Sequence, residues 1–377
     1  MKIALVSPYD YTVPGGVTKH IFYLDKHLRR LGHEVKILAP CSGGGALEEH
    51  VISVSGNVIS VPFSGSKARI TLSPRIYRRV KKILQQERFD IVHIHEPPAP
   101  VLPLIVLRHS KSVNVGTFHA YRESYAGYKY GKRIFKILYE KLDGKIVVSQ
   151  AVREYLSRYF PEDYVVIPNG IDLERFGPHV EPIPKYAEGK PTILFVGRLE
   201  KRKGFKYLLR AFPWVKAEFP EARLLVVGAF DKDDKAPYLR YLREHRIKGV
   251  RFIGYLPDEE LPRYYRSCDI FCAPSTGFES FGMVLLEAMA SGVAIVASDI
   301  AGYRTVLTDE VEGLLVEPEN EIALAQAITR LLKEPELRRK MGQKGRARAE
   351  GYSWVKVTQQ LLDYYRELLA RRGRVVT

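Results

Sequence analysis

Short apolar runs alternate with helix-like stretches from one end of the chain to the other. IALV at 3–6, VKIL at 35–38, IVHIH at 91–95, VNVGTF at 113–118, KIVV at 145–148 and VVI at 165–167 have the length and β-branched content of buried strands. Stretches 17–31, 73–86, 132–141 and 150–159 between them carry helical spacing. Strand and helix in alternation predict a parallel sheet covered on both faces.

Prolines at 168, 178, 182, 184 and 191 punctuate a polar stretch, and the alternation then restarts. TILFVG at 192–197, ARLLVVG at 222–228, VRFIG at 250–254, IFCAP at 270–274, AIVAS at 294–298 and GLLVEP at 313–318 form the second strand series. Helices are expected near 204–218, 258–266 and 282–290. The reading is an α/β chain of two Rossmann-like, doubly wound domains. Residues 1–170 form the first, 171–191 a linker, and 192–352 the second. Residues 353–377 are expected to form a helix that packs back on the first domain, because Trp354, Val357, Leu361, Leu362, Tyr365 and Leu368 lie on one stripe. Ligands of such sheets sit at the carboxyl ends of strands, so the expected site faces a cleft between the domains.

Composition narrows the class. Among 377 residues, 46% are hydrophobic and 27% charged, which fits a core-forming chain rather than a disordered one. Three cysteines give no disulfide framework and favour a reducing, cytoplasmic setting. The apolar start is too short for a signal-peptide core and reads as a first strand. The net charge of +16 calls for an anionic partner, and residues 1–180, with 26 basic and 16 acidic side chains, hold +10 of it. No basic-aromatic motif of a nucleic-acid module is present, so nucleic acid is not expected as a partner.

Three segments carry candidate chemistry. Gly15 and Gly16 precede a helix, where glycine lets a ligand approach backbone and free N–H groups attract an anion; a plain turn is the alternative. Arg198, Lys201, Arg202, Lys203 and Gly204 place cations at a strand end, suited to phosphate or else a solvated turn. In ESFGMVLLE, Glu279 stands just before a helix start and Glu287 lies within the helix, about two turns after Glu279 and on nearly the same face. One carboxylate can face an anion-attracting helix start while the other accepts hydrogen bonds from a ribose diol. Asp231, Asp233 and Asp234 read as a solvated loop. His93 and His95 share a strand face without an evident third ligand, and Cys268 and Cys272 read as core, so no metal site is expected.

Together SPYDYTVPGGV, HIHEPPAP, GTFHA, VIPNGID, FVGRLEKRKG and ESFGMVLLEAMASG resemble, in order and over nearly the whole chain, the retaining glycosyltransferases of family 4. Their fold is GT-B, and the bacterial phosphatidylinositol mannosyltransferases are the most similar branch. The resemblance implies catalytic roles for His119, Arg198, Lys203 and Glu279. It places Arg198 and Lys203 on the donor diphosphate, with Gly15 and Gly16 closing over it. Glu279 and the backbone of Phe281, Gly282, Met283 and Val284 would meet the hexose. Glu287 would meet the ribose, Asp258 the base, and His119 the sugar as positive charge develops. No protein nucleophile is implied. No cofactor is required beyond a GDP- or UDP-hexose co-substrate, and Mg2+ is not essential.

Tyr9 matches an acceptor-side position, while Pro98 and Thr12 stand where the inositol-contacting asparagine and aspartate would be. The expected activity is hexose transfer, with GDP-mannose favoured, to a lipid or polyol acceptor in the manner of phosphatidylinositol mannosyltransferases. UDP-sugar transfer to diacylglycerol or a soluble sugar is the alternative, with an epimerase or phosphorylase of related architecture behind it. Arg75, Arg78, Arg79, Lys81 and Lys82 lie off the apolar stripe of helix 73–86 and form an expected anionic-membrane patch, to which Lys67, Arg69 and residues 121–136 could add. The enzyme is thus expected in the cytoplasm, peripheral to the inner face of the cell membrane.

Overall fold

A computed structural model describes residues 1–63, 66–73, 75–121, 132–187 and 189–373. The chain divides into two compact units: Met1–Gly170 with Trp354–Thr377, and Ile171–Ser353.

The strands of the first unit are β1 (Lys2–Val6), β2 (Glu34–Pro40), β3 (Val51–Ser55), β4 (Ile59–Phe63), β5 (Ser66–Ile70), β6 (Ile91–His95), β7 (Val113–Phe118), β8 (Gly144–Val147) and β9 (Val165–Val166). Seven of them form a parallel sheet in the order β3-β2-β1-β6-β7-β8-β9, and β4 pairs antiparallel with β5. Every residue of β6 and β7 is buried in the sheet, His93, His95, Asn114 and Thr117 included, and β1 is buried from Ile3 to Val6, as parallel strands covered on both faces require. The C-terminal helix Trp354–Arg371 lies in this core: Trp354, Val357, Leu361, Leu362, Tyr365 and Leu368 pack with Ile3, Leu5, Ile21, Leu24 and Leu28. Glycines make room for it. A Cβ on Gly170 would lie 2.4 Å from the Trp354 ring, and one on Gly144 would lie 2.5 Å from Leu368.

The second unit has β10 (Thr192–Val196), β11 (Arg223–Val227), β12 (Val250–Gly254), β13 (Ile270–Ala273), β14 (Ala294–Ser298) and β15 (Gly313–Val316), all parallel in the order β12-β11-β10-β13-β14-β15. Helices Phe205–Glu218 and Glu321–Lys333 bury Phe205, Leu208, Phe212, Ile328 and Leu331 against one face of it.

The stretch 171–191 is part of this unit rather than a free linker. Arg223 donates to the carbonyls of Lys185 and Tyr186 at 2.6 Å each, the Ile183 N–H reaches Ser267 Oγ at 2.7 Å, and Tyr186 is buried. The sequence reading passes over β3, the β4–β5 hairpin and helices Leu102–His109, Lys232–Glu244, Ala301–Arg304, Glu321–Lys333 and Pro335–Ala349. The hairpin carries Pro62 and alternating polar residues instead of an apolar run.

Candidate active site

Strand order decides where ligands can enter. In the second unit β10 is flanked by β11 on one side and β13 on the other, so the chain winds in opposite directions from these two strands. The loops after β10 and β13 therefore part and leave a crevice at their carboxyl ends. Residues 197–204 form the first loop and 274–282 the second, which are the two segments singled out for cations and for Glu279.

Both loops are locked by backbone contacts that only glycine permits. Gly204 has φ +67°, and a Cβ there would sit 1.8 Å from the Pro274 carbonyl oxygen; the Thr276 N–H donates to the Arg202 carbonyl at 2.8 Å. The 3-10 turn Lys201–Lys203 is thereby pressed against the second loop. Lys203 Nζ and Arg202 both reach Glu279 Oε1 at 2.7 Å, and Ser275 Oγ donates to the same oxygen at 3.4 Å. Ser275 in turn pairs with the buried Tyr303 hydroxyl at 2.8 Å. Burial pulls the Glu279 carboxyl up, but the charges of Lys203 and Arg202, with hydrogen bonds from Lys203 and Ser275, outweigh it and hold the group below its ordinary value. Glu279 is thus an anion at neutral pH. Arg202, which the sequence offers only as one cation in a run, is a full member of this cluster. Arg198 is exposed and pairs with Glu200 Oε1 at 2.9 Å, while Arg202 Nε holds Glu200 Oε2 at 3.0 Å.

The helix Met283–Ala290 starts directly after this loop from Gly282 (φ +98°), with no side chain capping it. Its first turn points N–H dipoles to the same end of the sheet, an arrangement suited to an anion. Glu287 accepts a hydrogen bond from the Tyr265 hydroxyl at 2.9 Å, which orients the carboxylate one turn behind the helix start. Asp258 is tied to Arg175: the guanidinium Nε donates to the Asp258 carbonyl at 3.1 Å and an ion pair spans 3.5 Å.

In the first unit the winding reverses between β1 and β6. The loop after β1 carries Tyr9 and leads to Gly15 and the helix Gly16–Arg30, again without a side-chain cap. A Cβ on Gly16 would meet nothing within 4 Å, so the fold of this unit does not itself demand glycine there. Asp10, buried beside Tyr9, accepts hydrogen bonds from Thr12 Oγ1 (2.7 Å), Ser42 Oγ (2.6 Å) and Arg69 Nε (3.1 Å). Burial alone would raise its carboxyl, but Ser42, Thr12 and Arg69 together hold it at about 2. Thr12 is therefore bound into a carboxylate node, and neither Asp10 nor this node was expected from the sequence.

Histidines gather at the ends of β6 and β7. His95 Nδ1 and His119 Nε2 are 3.0 Å apart, and the His20 ring lies 4.8 Å from that of His119 and 5.2 Å from that of His95. His20 Nδ1 meets Asn169 Oδ1 at 2.8 Å. His93 is held on both sides, by Thr117 Oγ1 and by the Tyr365 hydroxyl, each at 2.6 Å. Glu96 Oε1 accepts the N–H groups of His119 and of Ala120, the latter at 2.9 Å, and so fixes the His119 backbone. Burial keeps these rings neutral: His20 falls to about 4, His93 to about 3, and His95 and His119 well below the usual histidine range. The third and fourth histidines missing beside His93 and His95 in the sequence come from elements far away in the chain.

Elsewhere, Ile76 and Val80 of helix Ile76–Glu87 are buried, while Arg75, Arg78, Arg79, Lys81 and Lys82 are exposed. Of the residues expected to add to that patch, Arg69 turns to Asp10 and Lys136 is exposed; residues 122–131 lie outside the described residues, as do the side chains of Lys67 and of residues 132–134. Asp231 and Asp234 form a reciprocal capping box at the start of helix Lys232–Glu244, replacing the expected solvated loop. Cys272 is buried in β13.

Comparison with known proteins accounts for both units. A model of glycosyl transferases group 1 matches residues 181–348, and a model of glycosyltransferase family 4 matches residues 14–175. The phosphatidyl-myo-inositol mannosyltransferase of Mycolicibacterium smegmatis is 38% identical over 97% of this chain and 93% of its own. Those of Mycobacterium tuberculosis and Propionibacterium freudenreichii are 37% identical (100% and 99% covered) and 35% identical (97% and 94% covered). Among solved structures, the sucrose-phosphate synthase of Thermosynechococcus elongatus superposes with a TM-score of 0.79 at 24% identity over 98% and 99% of the two chains. HepE of Anabaena in complex with UDP and glucose gives 0.76 at 21% over 97% and 99%. The chain therefore belongs to glycosyltransferase family 4, as a hexosyltransferase of GT-B architecture in company with the phosphatidyl-myo-inositol mannosyltransferases.

Proposed function

We propose that the enzyme transfers mannose from GDP-mannose to a polyol lipid, with phosphatidylinositol the first acceptor to try, and retains the anomeric configuration. The observation that carries the donor half is the cluster in which Lys203 and Arg202 grip Glu279 beside the helix start at Met283. A lysine ammonium has three donors and Glu279 uses one, so Lys203 can hold a phosphate oxygen without releasing the carboxylate. Arg198, exposed on the same loop, adds a planar fork suited to phosphate. As the bond from anomeric carbon to phosphate breaks, negative charge builds on the departing diphosphate, and these cations with the N–H groups of residues 281–284 stabilise it. They supply the charge that a bound Mg2+ would otherwise bring.

Glu279 is assigned to the hexose hydroxyls and Glu287 to the ribose. Asp258 is assigned to the guanine, which it would reach while still paired with Arg175. His119, neutral and backed by His95, is assigned to the sugar as its ring gains oxocarbenium character, and Gly15 and Gly16 to the diphosphate. No side chain is required as nucleophile: the departing phosphate takes the acceptor proton on the face it leaves. The names carried by the relatives favour an inositol lipid, and Tyr9 beside the Asp10 node is the assigned acceptor contact. The exposed cations of residues 75–82 would hold the enzyme on an anionic membrane at the inner face of the cell. The test is a panel of GDP- and UDP-hexoses crossed with phosphatidylinositol, diacylglycerol and soluble sugars, read by product mass. A mannosyl lipid made from GDP-mannose is the expected product. Turnover only with UDP-sugars, or without an acceptor, would replace this reading.

A further inference from the structure

We propose that His20, His95 and His119 bind a divalent transition-metal ion of the Zn2+ class, one ring nitrogen from each. Such nitrogens from the three side chains all lie within 4.8 Å of one another. Zn–N bonds of about 2.0–2.1 Å place tetrahedral ligands roughly 3.3 Å apart, and His95 Nδ1 and His119 Nε2 already stand at 3.0 Å.

The surrounding hydrogen bonds select these three rings. Asn169 Oδ1 can only accept, so His20 Nδ1 carries the proton and its Nε2 bears the lone pair. An imidazole fixed in this way through its far nitrogen is the usual outer support of a metal ligand. His93 is excluded because Thr117 and Tyr365 engage both its nitrogens; it stacks 4.4 Å behind His95 as a buttress. His95, by contrast, is fully buried, and among the described residues its hydrogen bonding is confined to the cluster, through Nδ1 to His119, while its Nε2 has no partner, so no group outside the cluster claims the Nδ1 lone pair. A nitrogen-only donor set suits Zn2+, Co2+, Ni2+ or Cu2+ and disfavours Mg2+ and Ca2+. Three protein ligands leave a position for water, the pattern of an exchangeable rather than a structural ion. Metal on His119 would withdraw that ring from the sugar, so the ion would inhibit transfer; this consequence alone rests on the function proposed above.

The test uses the full chain, free of affinity tag and treated with a chelator, titrated with Co2+ and then Zn2+. Saturable uptake of one Co2+ per chain, with the visible absorption of four-coordinate cobalt bleached by Zn2+, is expected. His20→Gln and His95→Gln should each weaken uptake at least tenfold with unchanged circular dichroism. No saturable uptake by the unsubstituted protein would overturn the proposal, as would uptake by both variants equal to that of the unsubstituted protein, which would assign the ion to surface histidines. Since the readout is absorption, failure of the metal site and failure of the transfer assignment give different results.

Discussion

Glu279 concentrates the account at the scale of single residues. Its carboxylate neutralises two cations in a nearly buried place, so Glu279→Gln keeps the shape but leaves Lys203 and Arg202 facing an uncharged amide. The variant should stay folded, losing on the order of 1–3 kcal/mol, while transfer falls by roughly 10²–10³-fold. Product formation and thermal unfolding on the same samples check both halves; a near-normal rate would remove Glu279 from the site. Asp10 gives a second, independent prediction. Its carboxyl is held at about 2 in the folded state against 3.8 ordinarily. The unfolded chain therefore binds the proton first, and the stability Asp10 contributes is complete above about pH 4 and lost as pH falls through about 2. Unfolding midpoints of the unsubstituted protein and Asp10→Asn should differ at pH 7 and converge near pH 2. An equal gap at both values would mean that the charge is not what Ser42, Thr12 and Arg69 hold.

Elements explain why such side chains meet at all. Gly204 lets the turn Lys201–Lys203 lie on the Pro274 carbonyl, and Gly302 lets the following chain lie on the Glu279 carbonyl, where a Cβ would come within 1.8 Å. Gly204→Ala must push the two loops apart and strain a left-handed residue as well, so it should cost about 1–3 kcal/mol or more and weaken GDP binding together with stability. Calorimetric titration with GDP measures the second effect; unchanged affinity would separate the loop contact from the site. The sequence made the loops legible because their glycines and cations follow apolar strand runs, and strand ends are where such sheets bind. It did not show which cation meets Glu279, since Lys201, Arg202 and Lys203 are equivalent until a 3-10 turn aims two of them. The histidine cluster was hidden for a different reason: His20, Asn169 and Tyr365 come from separate elements, joined only when the sheet and the C-terminal helix assemble. Helix Glu321–Lys333, though passed over, was there to be read, with Leu324, Ile328 and Leu331 at helical spacing and Asn320 as its cap. The β4–β5 hairpin was not, because its pairing owes little to an apolar pattern.

On the scale of the molecule, charge and topology divide the labour. Five exposed cations on helix Ile76–Glu87 and the residue before it, each worth about 1 kcal/mol near an anionic surface, predict that neutralising Arg75, Arg78, Arg79, Lys81 and Lys82 lowers partitioning to anionic vesicles more than a hundredfold. Sedimentation with vesicles reads this directly, and unchanged partitioning would assign the basic excess of the first half of the chain another purpose. Both sheets place their candidate segments at a reversal of winding, so two units of different sequence offer glycine loops and helix starts at the same kind of position. The central claim is that the second unit grips the donor through its diphosphate. The most direct measurement is a crystal structure of the full chain with GDP. The diphosphate is predicted to lie within hydrogen-bond distance of Arg198, Lys203 and the N–H groups of residues 281–284, with the ribose against Glu287. Nucleotide bound away from these groups would contradict the account.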